Sequence, residues 1–218
     1  MNVIFGASGF AKETFLICRR LNKANNTVAN NIDYFVVDDK DTRSEATLHG
    51  IPIIGESSFF NQFQNLEISA YIAIGSPAIR KSIVEKISRW NTKVNFPPLV
   101  DPSVIMDEDV GRVILDEGVI ICAGVIMTTD IKIGRFTHIN LDTTVGHDVE
   151  ISSFTTLSPG CHISGKVSIG SCVFCGTGAV ILENLSIADK TTLGAAGVVV
   201  KNITESGVYV GIPAKRMN

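Results

Sequence analysis

The sequence predicts an α/β domain with a parallel sheet, followed by a parallel β-helix. Three observations indicate this fold class. Strands alternate with amphipathic helices up to about residue 90, three prolines occur within Asn95–Ser103, and apolar residues then recur at every sixth position. Alternating strands and helices are typical of a parallel sheet, and a fixed short repeat is typical of a solenoid. We therefore predict two domains, 1–97 and 98–218, joined at the proline-rich segment.

The six-residue repeat is the stronger of the two patterns. A helix repeats near 3.6 residues and a strand at 2, so neither explains it. Three hexads would form one triangular coil whose apolar residues point inward, and coils would stack at about 4.8 Å. Counting in steps of six, the predicted inward residues are Leu115, Ile121, Met127, Ile133, Ile139, Val145, Ile151, Leu157, Ile163, Ile169, Cys175, Ile181, Ile187, Leu193 and Val199.

Two further positions of each hexad have a preferred composition. The residue two places before the inward one is usually small or β-branched, which predicts a half-buried strand wall. Glycine often follows the inward residue directly, as at Gly134, Gly146, Gly170, Gly176 and Gly194, and we expect these glycines to supply unusual backbone dihedrals at the corners. Cys172 and Cys175 form a C-x-x-C pair, but Cys175 holds an inward position of the repeat. We therefore interpret Cys175 as a small core residue and predict no metal site.

The front half predicts a nucleotide-sugar site at converging strand ends. A short strand, Asn2–Phe5, leads into the glycine turn GASGF and an amphipathic stretch; later strands end at VVDD and YIAIG, and a helix should run from Ser76 to about Trp90. A helix start can bind phosphate, and an acid after the second strand can bind ribose or base. The alternative is a solvated structural turn. Arg80 could reach a phosphate or be a surface charge. The predicted substrate contacts are Gly6, Ser8, Gly9, Phe10, Asp38, Asp39 and Gly75.

Composition excludes several function classes. The formal net charge is -3 with no long basic run, which argues against nucleic-acid binding. No apolar run approaches the roughly 18 residues needed to span a bilayer, so we expect no membrane insertion. The first ten residues lack the basic segment of a signal peptide, and an odd number of cysteines, 5, fits a reducing compartment. We expect a cytoplasmic protein.

Six segments together resemble the NeuD/PglD family of sugar acyltransferases: GASGFAKE, VVDD, YIAIGSPAIRKSI, GHDVEIS, SPGCHISGKVSIG and VGIPAKRM. The resemblance implies a left-handed β-helix and a homotrimer, with acetyl-CoA as co-substrate in a groove between neighbouring β-helices. It further implies N-acetylation of a nucleotide-linked amino sugar for bacterial surface glycans. O-acetylation of sialic acid or a related sugar, and transfer of another acyl group, remain alternatives. A purely structural solenoid would leave the His147-Asp148 pair, the closing segment VGIPAKRM and the glycine turn without a use.

His147 is the candidate catalytic base. Its position at an outward corner would by itself favour a solvated histidine, but the resemblance places the catalytic histidine here and its acidic partner at Asp148. A nucleophile attacking a thioester must lose a proton, which neutral imidazole can accept while a carboxylate fixes its tautomer. Gly165 lies one coil further and could offer its N–H to the developing oxyanion.

The resemblance also implies binding roles for other residues. It assigns Asn140 to positioning the acceptor, and it assigns coenzyme contacts to Thr156, Gly165, Thr177, Ala195 and Lys215. Two positions depart from the family: Phe10 stands where amino-sugar N-acetyltransferases often have a histidine, and Thr156 where some members have one. For His49, His138 and His162 we expect a loop position or packing at a surface or interface.

Overall fold

The computed structural model describes residues 1–41, 46–90, 93–106 and 112–217. The front domain consists of nine elements in the predicted alternation: β1 (Asn2–Phe5), α1 (Gly9–Ala24), β2 (Tyr34–Val37), β3 (Thr47–Leu48), β4 (Ile51–Gly55), α2 (Glu56–Gln62), β5 (Ile68–Ile72), α3 (Pro77–Trp90) and β6 (Val94–Asn95).

The strands of the front domain form one sheet in the order β3-β4-β2-β1-β5-β6. All neighbours pair in parallel except β3 and β4. The central strands of a parallel sheet are covered on both faces, and β1 fits this position because its residues Val3, Ile4 and Phe5 are all apolar and are at most 1% exposed. Since β1 lies between β2 and β5, the chain reverses its direction of winding there, and this is where parallel sheets open a binding crevice.

The rest of the chain forms a triangular prism of short strands: β7 (Leu99–Val100), β8 (Val113–Leu115), β9 (Ile120–Ile121), β10 (Ile126–Met127), β11 (Ile131–Ile133), β12 (His138–Ile139), β13 (Thr144–Val145), β14 (Glu150–Ile151), β15 (Thr156–Leu157), β16 (His162–Ile163), β17 (Ser168–Ile169), β18 (Phe174–Cys175), β19 (Val180–Ile181), β20 (Ser186–Ile187), β21 (Thr192–Leu193), β22 (Val198–Val199), β23 (Val208–Val210) and β24 (Lys215–Arg216). The predicted boundary at residue 97 lies between β6, the last strand of the front sheet, and β7, the first strand of the prism.

The prism has three faces. The first face contains β7, β9, β12, β15, β18, β21, β23 and β24; the second face contains β10, β13, β16, β19 and β22; the third face contains β8, β11, β14, β17 and β20. Strands one coil apart pair in parallel with a shift of 18 residues, for example His138 with Thr156. The predicted fold class, a Rossmann-like domain followed by a left-handed parallel β-helix, is confirmed.

The predicted inward register is also confirmed. From Ile121 to Val199 each residue of the six-step series is at most 3% exposed, and these side chains form one continuous core. The wall positions are more buried than expected, because the threonines among them are also inaccessible to solvent. Three of these threonines satisfy their buried hydroxyl groups with hydrogen bonds to backbone carbonyl oxygens: Thr137 donates to Ser152, Thr143 to Ser158 and Thr155 to Gly170.

The expectation for the corner glycines was wrong. The glycines that follow inward residues do not adopt positive φ; they are needed because the next coil packs directly against them. A Cβ added at Gly134 would lie 2.8 Å from the Ser153 nitrogen, and one at Gly176 would lie 2.6 Å from the Ala195 nitrogen. These are contacts with backbone atoms, which cannot move aside, so close stacking of coils excludes a side chain there.

The residues with positive φ stand two places later in the hexad. They include Asp130, Asp142, Asp148 and Asn184, and glycines take the same hexad position at residues 118, 124, 160 and 178. Asp and Asn tolerate this left-handed conformation better than most residues, which explains their presence at corners.

The first face of the prism packs against the front domain. On one side of the sheet, Leu99, Ile120 and Cys122 share a core cluster with α1; on the other side, Phe136 and Phe154 share a cluster with α3. The two domains therefore bury a common apolar interface. In the described part of the chain, no helix is both long enough and apolar enough to cross a membrane.

Candidate active site

A cavity of about 540 Å³ opens at the carboxyl ends of β1 and β2, on the side of the sheet covered by α3. Gly6 and Ser8 of the glycine turn line it, together with Asp38, which follows β2. Gly6 must be glycine, since its φ is +108° and an added Cβ would lie 2.9 Å from the Ala73 carbonyl oxygen. The volume is within the range of small-molecule sites. The structure thus brings three predicted substrate residues together at the predicted place.

The other predicted substrate residues lie elsewhere. Gly9 begins α1, and Gly75 lies in a neighbouring groove of about 1020 Å³ between the start of α3 and the first face. Asp39 does not line the cavity: its carboxylate accepts hydrogen bonds from the backbone N–H and hydroxyl of Ser57, and these bonds lower its pKa. Asp39 therefore anchors the first turn of α2.

Glu56 and Lys86 also line the cavity and were missed by sequence reasoning. Glu56 starts α2, and its side chain is only 6% exposed although charged; Lys86 projects from α3 and forms an ion pair with it. The ammonium group also lies 5.6 Å from the centre of the Phe60 ring. No sequence pattern indicates this pair, because its two members are 30 residues apart on different helices.

His147 and Asp148 form the predicted pair at a corner between the second and third faces. The Nδ1 atom of His147 lies 2.7 Å from the Asp148 carboxylate. The side chains are 56% and 50% exposed, so both groups are open to an incoming substrate. If Nδ1 carries the proton that the carboxylate accepts, Nε2 has a free lone pair and can take a proton from a nucleophile.

Gly165 lies directly beside the imidazole ring. A Cβ added at Gly165 would be 2.6 Å from Nε2 of His147, so the ring occupies the space that a side chain would need. The two residues are one coil apart, and the Lys166 nitrogen donates to the His147 carbonyl oxygen across the same corner. The Gly165 N–H makes no hydrogen bond to the described residues.

The residues with predicted coenzyme roles occupy more than one corner. Thr177 and Ala195 lie at the corner between the first and second faces, on successive coils, where the Ala196 nitrogen donates to the Thr177 carbonyl oxygen. Lys215 lies in β24 at the far end of the first face and is exposed. Within one chain the second face separates these residues from His147. Thr156 is 5% exposed and lies at the domain interface.

Arg80 is neither a phosphate ligand nor a surface charge. It is completely buried between the domains and donates hydrogen bonds to backbone carbonyls on both sides. Burial lowers its pKa to about 9. Arg80 shares the buried face of α3 with Val84 and Ile87, at i, i+4 and i+7 spacing, but its charge favoured a surface or ligand-binding role in the sequence.

The remaining histidines differ in their surroundings. His49 is exposed and stacks on Phe15 at 5.6 Å between ring centres, and His162 is exposed with Nδ1 2.8 Å from the Thr144 hydroxyl. His138 packs at an interface, as expected: it is buried where the prism meets the front domain. Asn140, predicted to position an acceptor, uses its side-chain oxygen to accept the Leu141 N–H.

Comparison with known proteins finds similar sequences and structures. Residues 3–87 match the model of the PglD N-terminal domain. The sequence has no match among curated proteins. Among solved structures, PerB from Caulobacter crescentus in complex with CoA and GDP-perosamine is 27% identical with a TM-score of 0.86; the match covers 100% of this chain and 97% of PerB.

Two other solved structures have the same fold along their whole length. WeeI from Acinetobacter baumannii AYE is 26% identical, with a TM-score of 0.85 and coverage of 100% of this chain and 99% of WeeI. The acetyltransferase domain of PglB from Neisseria gonorrhoeae FA1090, in complex with acetyl coenzyme A, is 24% identical, with a TM-score of 0.84 and coverage of 99% and 98%. The resemblance predicted from the motifs is confirmed.

Proposed function

We propose that this chain, an acyltransferase of the NeuD/PglD kind, transfers the acetyl group of acetyl-CoA to the amino group of a nucleotide-linked sugar, with His147 as general base. The observation that supports this most directly is the arrangement of His147. Its Nδ1 lies 2.7 Å from Asp148 while Nε2 borders the glycine with the unpaired N–H. A base and an oxyanion donor thus lie side by side, as acyl transfer requires.

The proposed reaction needs only these groups and the two substrates. The amine nitrogen attacks the thioester carbon while Nε2 of His147 accepts the proton that the amine loses. Asp148 stabilises the resulting imidazolium, and the Gly165 N–H donates to the carbonyl oxygen as it becomes negative. The C–S bond then breaks, and the imidazolium returns its proton to the leaving thiolate of CoA, which restores neutral His147.

The cavity at the strand ends is the proposed nucleotide site. Gly6 and Ser8 would approach the diphosphate, since they precede the N-terminus of α1, where N–H groups and the helix dipole favour an anion. Asp38 would accept hydrogen bonds from ribose hydroxyls or the base. PerB supports a nucleotide-sugar acceptor by analogy, because its structure contains GDP-perosamine.

A trimer is part of the same proposal, because one chain cannot bring its coenzyme residues to its own base. Thr177 and Ala195 lie on one edge of the second face and His147 lies on the other. The outward strand positions of that face are Ile126, Thr144, His162, Val180 and Val198, none of them acidic, Lys or Arg, and Ile126 is 42% exposed. The third face instead presents the ion pair of Lys132 and Glu150. Packing second faces around a threefold axis would place the Thr177 edge of one subunit beside His147 of the next.

A thiol-release assay tests the function directly. Acetyl-CoA is offered with UDP-, GDP- and dTDP-linked 4-amino sugars, and with free and CMP-linked sialic acid. We expect release only with a nucleotide-linked amino sugar and an amide in the product. Release with sialic acid and an ester product would instead establish O-acetylation, the alternative left open by Phe10, which stands where amino-sugar N-acetyltransferases often have a histidine. Substituting longer acyl-CoA donors tests the acyl group. We place the reaction in the cytoplasm, where both substrates are available.

Light scattering tests the assembly. We expect a trimer, with activity lost on dilution to monomer. A fully active monomer would contradict the shared site and would require the coenzyme to bind along a single chain.

A further inference from the structure

Arg80 joins the end of β5 to two successive coils of the prism. Its Nη1 donates to the carbonyl oxygens of Ile74 and Gly75 at 2.6 and 3.2 Å. Its Nε donates to Phe136 at 2.8 Å, and its Nη2 donates to Phe154 and Thr155 at 2.8 and 3.1 Å. No carboxylate among the described residues pairs with this guanidinium. Its charge is therefore balanced by backbone carbonyl dipoles from both domains.

Two side chains extend this network to the glycine turn. His138 places Nδ1 3.2 Å from Nη1 of Arg80, and because a guanidinium can only donate, Nδ1 must be the acceptor and Nε2 must carry the proton. Phe10, at the end of the glycine turn, packs on the His138 ring with 4.9 Å between ring centres. Thr156 accepts from Nη2 at 3.0 Å and donates to the Gly75 carbonyl oxygen at 2.9 Å.

The protonation state of His138 is fixed by its surroundings. Burial and the charge of Arg80 hold its pKa well below the usual value, although the nearby Ile72 carbonyl opposes this. Nε2 has no hydrogen-bond partner, and the ring is 1% exposed. A neutral imidazole is thus held between a cation and an aromatic ring, where it acts as a rigid spacer between Arg80 and Phe10.

We propose that Arg80 is a positioning residue for the acceptor: it fixes the Gly75 end of β5 and, through His138 and Phe10, the glycine turn at one place on the prism. This inference rests on the proposed function, because it concerns how the nucleotide sugar is aligned for acyl transfer. Ile74 lines the strand-end cavity and its carbonyl is held by Arg80, so the cavity wall and the coils are joined at one guanidinium. Misplacement by about 1 Å can cost 10²-fold in rate.

Arg80→Lys is the decisive variant. Lysine keeps the charge but has three donors at a single nitrogen, so it cannot reproduce a fork that reaches carbonyls in several directions. We expect kcat/KM for the acceptor to fall at least about tenfold, with KM for acetyl-CoA within about twofold of wild type. Arg89→Lys is the matched control, since Arg89 lies on the exposed face of the same helix. Equal acceptor kinetics in the two variants would overturn the proposal.

Thr156→Val separates this role from the predicted coenzyme contact. Loss of the hydroxyl should weaken acceptor use and leave KM for acetyl-CoA unchanged. The reverse pattern would assign Thr156 to the coenzyme and remove it from the network.

Hydrogen exchange tests the proposal independently of activity. In Arg80→Lys, amides of residues 6–10 should exchange faster than in wild type and in Arg89→Lys, while core amides of the prism stay protected. Unchanged exchange in residues 6–10 would overturn the positioning role. Inactivity of the wild-type protein towards every nucleotide sugar would refute the proposed function, but this exchange measurement could still be read.

Discussion

Gly165→Ala should damage catalysis without removing any catalytic group. The added Cβ would lie 2.6 Å from Nε2 and 2.7 Å from Cε1 of His147, whereas unstrained contacts between such atoms are about 3.5–4.0 Å. The imidazole must therefore shift by about 1 Å or rotate away. We expect kcat to fall about 10²-fold, because displacement of this size removes the base from the line of proton transfer.

Stability should respond very little to the same change. The φ of Gly165 is not in the left-handed region, so alanine can adopt the backbone, and the ring that must move is 56% exposed and can turn into solvent. The free energy of unfolding should change by less than about 1 kcal/mol. Gly146→Ala is the contrasting control. Its Cβ would lie 2.7 Å from the Gly165 nitrogen, a backbone atom that cannot move aside, and we expect a loss of about 1–3 kcal/mol.

The assay is steady-state acetyl transfer combined with thermal unfolding, and a double-mutant cycle identifies the cause. If Gly165→Ala acts by displacing the imidazole, it should have no further effect on kcat in a His147→Ala background. A wild-type kcat for Gly165→Ala would refute the reasoning. So would an equal loss in both backgrounds, which would show that the methyl group blocks the acetyl group or the oxyanion instead.

Three other outcomes are expected. His147→Ala should lower kcat by about 10²- to 10⁴-fold while coenzyme affinity and stability are retained. Asp148→Asn should have a milder effect and shift the pH profile of kcat. Near-normal turnover of His147→Ala in the thiol-release assay would show that the base lies elsewhere. Folding lowers the pKa of His138, so only the unfolded chain gains this proton as pH falls below about 6.5, and the free energy of unfolding should drop by up to about 1.4 kcal/mol per pH unit. Denaturant unfolding from pH 7 to 5 should show a smaller drop for His138→Asn than for wild type, whereas the exposed control His162→Asn should behave like wild type. Parallel curves for wild type and His138→Asn would contradict this. Lys86→Met should weaken nucleotide binding measured by calorimetry without affecting acetyl-CoA, and an unchanged nucleotide Kd would exclude Lys86 from the site.

The sequence was sufficient for the core of the prism because its register is local. Each inward residue is defined by its place in a six-residue period, and stacking then buries it regardless of what lies outside. His147 could be placed on an outward corner by the same counting. The sequence also located the glycine turn and the end of β2, since both directly follow apolar strands. These features depend on neighbours in the chain.

The features that were missed depend on contacts between distant segments. Arg80 falls on the same face of α3 as Val84 and Ile87, but the sequence does not show the carbonyl partners that allow a charge to be buried there, and its partner Phe154 is 74 residues away. Asp39 stands at a strand end, as a ligand would, but Ser57 at the start of α2 takes both of its oxygens. The corner glycines were misinterpreted for a similar reason: the need for glycine comes from the coil above, which the pattern of one hexad does not show.

Asp148 combines a requirement of the fold with the proposed chemistry. Its φ is +58°, and the hexad position that it occupies has positive φ at corner after corner, including Asp130 and Asp142. An acidic residue at this position is therefore ordinary for the prism and needs no functional explanation. What differs in this coil is the histidine that precedes the corner, whose Nδ1 the carboxylate meets at 2.7 Å, and the glycine one coil further, which leaves room for the ring. The proposed site thus differs from an ordinary corner of the prism in two residues, His147 and Gly165. We therefore expect Asp148→Asn to retain the fold, and we expect His147 and Gly165 to determine activity.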